Sequence, residues 1–302
     1  MRDPGVETLR GFNRLVTQRI GALEEEYLGG SRPLGASRVL WEIGDECDVL
    51  VLRTRLDLDS GYLSRLLRSL EKEGLVKVAV DPDDARRRIA RLTRSGRRER
   101  DRLDSDSDEL AWSMLAPLSQ SQRERLVNAA ATVQRLLTAG MVTVEPEDAA
   151  SEDARFCITS YFDELDDRFE DGFDPDLSIS ADVDELTPPA GLLLLARLRG
   201  EPIGCGALKF HDDAPTEIKR MWVSTTARGL GLGRRLLTEL EAQAAAFGAT
   251  TVRLETNRSL GEAINLYRSA GYREVDAFND EPFAHHWFEK PLVPSAESDP
   301  PT

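Results

Sequence analysis

The sequence predicts two domains, a mainly α-helical first half over residues 1–140 and an α/β second half over residues 141–293 with a mixed, mostly antiparallel sheet, ahead of a polar tail over 294–302. Three observations carry this. In the first half apolar residues recur at three- and four-residue steps, the period of amphipathic helices, interrupted once by an alternating hairpin. In the second half short apolar or alternating runs are separated by tight turns, as in a meander of strands. At Gly140 the helical pattern gives way to MVTV and then to Pro146 and acids, so the linker between the halves is very short.

The elements follow in order. Leu9, Phe12, Leu15, Val16, Ile20 and Leu23 make the stripe of a helix from Val6 to Tyr27, stopped by Gly29-Gly30. Two short helices follow, Leu34 to Ile43 and Val49 to Leu56. Asp59 or Ser60 caps a third, which turns Leu63, Leu66, Leu67 and Leu70 inward and Tyr62, Ser64, Arg65, Arg68 and Lys72 outward. LVKVAV and RIARLT form a hairpin around the turn DPDDARR. Thr93 or Ser95 caps a long helix that breaks at Pro117, and another runs from Gln120 to Ala139. In the second half Glu152 to Glu170 is a helix with Phe156, Tyr161, Phe162, Leu165 and Phe169 inward, followed by an acidic, turn-rich loop. Strands then cover Leu192 to Leu198, Ile203 to Phe210 and Glu217 to Val223. A helix from Gly233 to Phe247, a strand at Thr251 to Glu255, a helix from Leu260 to Ala270 and two late strands complete the set.

Composition bounds the function. Hydrophobic content of 40% and charged content of 31% are those of a globular protein. The longest apolar run, Leu192 to Ala196, cannot span a bilayer, and the N-terminus has no signal-peptide pattern, so no membrane role and a cytoplasmic location are expected. Cys47, Cys157 and Cys205 are odd in number and widely spaced. They suit buried thiols rather than a disulfide framework or a metal site, with an oxidant-sensing role left open for Cys47. The net charge of −15 is uneven: residues 1–140 hold 24 basic and 23 acidic side chains, residues 141–302 hold 15 and 31. Within the first half, Arg53 to Arg102 carries 15 basic against 9 acidic residues, so one segment could meet phosphates while the second half would repel them.

The chemistry of the second half centres on ARGLGLGRRLL, a loop that leaves a strand and opens a helix. Such a loop aims several backbone N–H groups and the positive end of the helix dipole at one point, which suits a pyrophosphate. Gly229, Gly231 and Gly233 permit close approach, and Arg228 and Arg234 add charge. A dinucleotide loop of the GxGxxG type is excluded by context, since the preceding strands form a meander and the glycine spacing differs.

The run R-G-L-G-L-G, with the elements around it over residues 141–292, resembles the (Q/R)xxGx(G/A) motif of the GNAT superfamily of N-acetyltransferases. The resemblance implies acetyl-CoA as cosubstrate, bound along Arg228, Gly229, Leu230, Gly231, Leu232, Gly233 and Arg234. It implies that Met221, Trp222 and Val223 pair through free backbone groups with the pantetheine arm. Glu217, eleven residues before Arg228, stands where histone-type members keep a catalytic base, with Glu255 a second candidate and a merely structural glutamate the alternative. EAINLYRSAGY resembles the family's AxxLYxxxGF segment and places Tyr267 beside the leaving sulfur as an acid. Leu260 stands where the family often has asparagine, which leaves Asn257 as a possible cofactor contact. His285 and His286 are read as strand residues, one inward and one outward, with a place in the acceptor pocket left open for one of them.

In the first half, three helices followed by a charged hairpin make a winged helix-turn-helix. The outward face of residues 59–73, with Ser60, Tyr62, Ser64, Arg65 and Arg68, would enter a major groove of double-stranded DNA, and Asp84, Arg86, Arg87 and Arg88 at the hairpin would lie over the backbone or minor groove. The stretch from Leu56 to Arg98, with its DxR at Asp84 and Arg86 and LTxxG at Leu92, Thr93 and Gly96, resembles the MarR family of regulators. That resemblance implies a homodimer formed through the first half, with residues 59–92 as the DNA surface.

The combined expectation is an acetyl-CoA-dependent N-acetyltransferase of a primary amine, without a metal, fused to a DNA-binding regulator. The acidic loop from Asp163 to Glu185 favours a cationic acceptor such as a polyamine, an aminoglycoside or a lysine side chain. The alternatives are a regulator whose second domain senses an acyl-CoA or amine without turnover, and an enzyme whose winged helix serves only to dimerise.

Overall fold

The computed structural model describes residues 3–24, 26–30, 32–179 and 181–292; the expected tail over 294–302 lies outside the described residues. The chain divides into two compact units, Met1–Ala130 and Ala131–Thr302, and the division falls inside the helix Gln120–Gly140.

The first unit opens with α1 (Pro4–Arg19), capped by Asp3, whose carboxylate accepts from the Gly5 N–H at 2.7 Å. This helix stops well short of Tyr27, because Gly21 turns to φ +64° and redirects the chain. After a 3₁₀ turn at Tyr27–Gly29 come α2 (Leu34–Glu42), β1 (Glu46–Asp48), α3 (Val49–Leu56), α4 (Ser60–Lys72), β2 (Val76–Val80), β3 (Arg88–Leu92), α5 (Arg94–Leu115) and α6 (Gln120–Gly140). Asp59 and not Ser60 caps α4, and Thr93 and not Ser95 caps α5. The strands form a small antiparallel sheet in the order β1-β3-β2. With α2 to α4 this is a winged helix-turn-helix. Its core gathers Leu40, Ile43, Leu52, Leu63, Leu67, Leu70 and Leu103.

One buried arginine with two carboxylate partners holds these pieces together and has no pattern in the sequence. Arg32, ahead of α2, reaches Glu73 at the end of α4 at 2.8 Å and Glu99 on α5 at 2.5 Å, and is itself only 8% exposed. Removing the cation would strand two partly buried carboxylates. Arg32→Ala is expected to destabilise this unit by roughly 3 kcal/mol in urea or thermal unfolding, whereas a surface ion pair would cost under about 1 kcal/mol. By contrast, α1 and α6 bury no side chain: Leu9, Phe12 and Leu15 of α1 stay exposed, as do Leu126 and Val127 of α6.

The second unit runs β4 (Val142–Glu147), α7 (Glu152–Arg168), β5 (Gly191–Leu198), β6 (Glu201–Lys209), β7 (Thr216–Val223), α8 (Leu232–Ala246), β8 (Thr251–Thr256), α9 (Gly261–Ser269), β9 (Arg273–Val275) and β10 (His286–Pro291). The strand order is β4-β5-β6-β7-β8-β10-β9, antiparallel throughout except for β7 with β8. MVTV, read as the mark of a linker, is the edge strand β4, paired with β5. The apolar run of β5 is explained by its two covered faces. Leu192, Leu194 and Ala196 pack with α8 residues Leu236 and Leu240, while Leu193 and Leu195 pack with Ala154 and Cys157 of α7.

One expectation about α7 needs correction. Phe156 is 52% exposed rather than inward, since the buried stripe runs through Ala154, Cys157 and Leu165. Cys157 and Cys205, distant in sequence, meet in this layer, both buried as expected.

Candidate functional site

β7 builds the site because it changes partner along its length. Thr216 and Glu217 pair with Val252 and Arg253 of β8, and there the parallel ladder ends. Beyond it Met221, Trp222 and Val223 line an open groove whose other wall is α7 and α9, through Tyr161, Glu164, Ala263 and Tyr267. At the end of the groove, Gly229 (φ +80°) and Gly231 (φ +76°) take left-handed conformations. A Cβ added to either would meet nothing within 4 Å, so glycine is needed there for its dihedrals rather than for space. Gly231 is also the N-cap of α8 and offers no side-chain acceptor, which leaves the first N–H groups of a 15-residue helix for an anion. Arg228 lies 2.5 Å from Glu164, which also accepts from the Trp222 indole at 3.0 Å, and Arg234 donates to Ser269 at 2.5 Å.

Two residues expected at this groove are placed elsewhere. Leu230 turns its side chain onto the core beneath the loop. Asn257 is buried and bridges two backbone segments, donating to the Phe283 carbonyl at 2.7 Å and accepting from the Ser259 N–H at 2.9 Å. It lines a second cavity, not the groove.

That second cavity opens against the same strand. Lys219, Arg220, Glu255 and Glu281 line it, with aromatic walls from Phe169, Phe173 and Phe283. Tyr161, Leu165, Met221, Leu260, Ala263 and Tyr267 line both spaces, so groove and cavity meet there. Tyr267 is 6% exposed. Burial, reinforced by Tyr161 and Glu255, pushes its phenol well above the ordinary range, so it stays protonated. Burial likewise lifts Tyr161 to about 12.

Glu217 does not face either space. It accepts from Arg253 at 2.7 and 3.2 Å and lies 3.0 Å from Lys219, with 4% of its surface exposed. Burial alone would raise its pKa, but the Lys219 charge and the Arg253 hydrogen bonds outweigh that, and the carboxyl is held below its usual value. A carboxylate so held is a poor proton acceptor. Glu255 lines the cavity instead: it pairs with Lys219 through one oxygen while its Oε2 is buried with no hydrogen-bond partner. Burial alone would lower the Lys219 pKa, but Glu255 and Glu217 outweigh it and raise it on balance. His286 bonds Glu274 at 2.6 Å and His285 donates its backbone N–H to Thr256; neither lines the cavity.

In the first unit, Arg65 and Arg68 stand exposed one turn apart on α4, Arg68 donating to the Ser64 carbonyl at 3.1 Å and Arg65 lying over the Tyr62 ring at 5.7 Å. Ser60 is exposed in the first turn and Ser64 half-buried. Tyr62 leans back towards α2, its hydroxyl 2.7 Å from where a Cβ of Gly35 would be, and it stays partly exposed. Asp84 shapes the hairpin turn by accepting from the Arg86 N–H at 2.9 Å. Arg87 folds onto Asp48, donating at 2.9 Å to the carboxylate that also caps α3, and like Arg86 and Arg88 it remains exposed.

A sequence profile of the Acetyltransferase (GNAT) family matches residues 157–272. An IAA acetyltransferase of Azospirillum brasilense is 34% identical over 122 residues, 40% of this chain and 80% of that relative. The chain belongs to the GNAT acetyltransferase family. Its GNAT part occupies the second unit, and the first is similar to a different class: an uncharacterized HTH-type transcriptional regulator of Bacillus subtilis is 28% identical over 126 residues, 42% of this chain and 74% of the regulator. The solved GNAT family acetyltransferase of Elizabethkingia anophelis, with acetyl-CoA bound, is 21% identical, with a TM-score of 0.39 over 50% of this chain and 99% of its own. Among the described residues no group of side chains is arranged to hold a metal ion, and no helix is long and apolar enough to cross a membrane.

Within the GNAT unit, sequence reasoning located the groove but missed much of the cavity. Arg220, Glu281 and Phe283 carry no motif and converge only through folding. Glu281 alone accepts from the Ser178 hydroxyl at 3.0 Å and from the backbone N–H groups of Ile179 and Phe283.

Proposed function

We propose that this chain is an acetyl-CoA-dependent N-acetyltransferase of a primary amine, joined to a winged helix-turn-helix that binds double-stranded DNA as a homodimer. The observation that carries the enzymatic reading is the meeting of two spaces at Tyr161, Met221 and Tyr267, one an open strand edge ending at an uncapped helix N-terminus, the other a cavity with a buried carboxylate. The residues present fit acetyl-CoA. The N–H groups from Gly229 to Gly233, with Arg228 and Arg234, would take the pyrophosphate, and the free edge of Met221 to Val223 would take the pantetheine amides. The cosubstrate supplies an activated acyl group as its thioester.

The protein's own groups do the rest. Glu255 Oε2 accepts a proton from the amine, which must lose one before its nitrogen has a lone pair to attack. A backbone N–H near Val223 stabilises charge on the carbonyl oxygen, and the protonated phenol of Tyr267 donates to the leaving sulfur. Free-thiol release from acetyl-CoA across a panel of amines tests this. Tight acetyl-CoA binding with no thiol release from any amine would instead support a non-catalytic sensor.

Gly231→Val is expected to weaken acetyl-CoA binding by about 10- to 100-fold in calorimetry with the circular dichroism spectrum unchanged, because a β-branched residue cannot hold the left-handed dihedrals that aim the loop N–H groups. The exposed Leu9, Phe12 and Leu15 of α1 support the homodimer, since a second copy would cover an apolar stripe that the single chain leaves to water. Exposed Arg65 and Arg68 support the DNA surface.

A further inference from the structure

We propose that the acceptor is a zwitterionic amino acid with an apolar side chain, its carboxylate held by Arg220 and its amine presented to Glu255. This rests on the acyl-transfer reading above and names the substrate of that site. The cavity contains two buried polar atoms without a hydrogen-bond partner, and they are of opposite kind: Nε of Arg220, a cationic donor, and Oε2 of Glu255, an anionic acceptor. Buried polar groups are almost always satisfied, so a matched pair of orphans facing one space specifies a ligand with one anionic and one cationic group.

Arg220 is aimed there by the backbone. Between Cys205 and Ala207 of β6 the pairing with β7 shifts by a bulge, and Arg220 takes φ +56° at that point. The Cys205 thiol donates to the Arg220 carbonyl at 3.2 Å, and the missing Cβ of Gly206 makes room for Met221 and Leu240, whose nearest atoms would stand 2.8 Å from one. A bulge breaks the alternation of side chains, which is how Lys219, Arg220 and Met221 all come to line one cavity. The guanidinium rests on the Phe162 ring at 4.6 Å and makes no ion pair among the described residues.

The other charges decide against simpler ligands. Lys219 is neutralised by Glu217 and Glu255, and Glu281 is satisfied by the Ser178 hydroxyl and two backbone N–H groups. The four charged side chains lining the cavity, Lys219, Arg220, Glu255 and Glu281, sum to zero although Arg220 is in no ion pair among the described residues. A polycation would therefore find no net negative charge there and would face the Arg220 guanidinium, against the expectation drawn from the acidic surface of this half. Phe169, Phe173 and Phe283, with ring centroids 4.8 to 6.1 Å apart, give an apolar side chain its wall. In the reaction the ammonium gives one proton to Glu255, the nitrogen–carbon bond forms and the carbon–sulfur bond breaks. The second proton lost by nitrogen balances the one that sulfur takes from Tyr267.

The test compares thiol release from acetyl-CoA with L-phenylalanine, with phenethylamine, which lacks the carboxylate, and with spermidine. The wild type is expected to show kcat/KM for L-phenylalanine about 10- to 100-fold above both, the worth of a charged hydrogen bond, and Arg220→Gln should bring the ratio of L-phenylalanine to phenethylamine close to one through KM. Arg220→Lys, which keeps the charge without the fork, should retain part of the preference. A wild type that prefers spermidine or phenethylamine, or an Arg220→Gln variant with an unchanged ratio, overturns the assignment. If no amine releases thiol, the transfer reading falls by itself, and calorimetry of L-phenylalanine into the CoA-loaded protein decides the pocket. Binding that disappears in Arg220→Gln upholds it, and absence of binding removes it.

Discussion

Glu255→Gln is expected to lower kcat for acetyl transfer by about 10²- to 10⁴-fold, the usual worth of a positioned base, while acetyl-CoA binds as before. The amide keeps the size of the carboxylate and still reaches Lys219, so the loss is one of basicity. Glu217→Gln is the informative counterpart. It removes the charge shared by Arg253 and Lys219 in a place with 4% exposure, so its effect should fall on thermal stability, with kcat affected far less. Steady-state kinetics on both variants, each checked for folding, separates the two glutamates. A fully folded Glu217→Gln enzyme that loses turnover while Glu255→Gln retains it would return the role to Glu217.

The second large effect concerns the winged helix. Arg65→Ala with Arg68→Ala is expected to reduce binding to the gene's own upstream region by about 10²- to 10⁴-fold in a gel shift, since each arginine lost from a groove or phosphate contact costs roughly 1–3 kcal/mol. Arg87→Ala should do much less, because that side chain is already occupied by Asp48. Wild-type binding should also fall steeply between low and moderate salt, as counterions compete for the phosphates. Undiminished binding by the double variant would remove α4 from the interface.

What could be read in advance was whatever local chemistry dictates. Asp59, Thr93 and Gly231 punctuate helices by capping or by dihedral freedom, and the glycine loop announces a left-handed turn into a helix start without a side-chain cap. β1 was invisible because three residues, Glu46 to Asp48, are too few to show alternation, and they become a strand only when β3 lies alongside. The length of α1 was overestimated because Ile20 and Leu23 continue the helical period past a glycine that turns the chain. At the site, the spacing from Glu217 to Arg228 located a position on β7 but could not reveal that Arg253, on another strand, already holds that carboxylate. Arg220 looked like one more charge on an alternating strand. Its direction depends on the one-residue irregularity opposite Gly206, which is a property of pairing and not of the strand's own sequence.

That irregularity also restricts how this enzyme family member can change. A strand that has slipped by one place is sensitive to chain length in a way that an ordinary strand is not. Deleting Arg220 would restore simple alternation on β7 and exchange the faces of the residues on one side of the slip, sending a lysine towards the core or Met221 to Val223 away from the groove. Side chains along this strand are therefore free to change, while the count of residues between Glu217 and the glycine loop stays fixed.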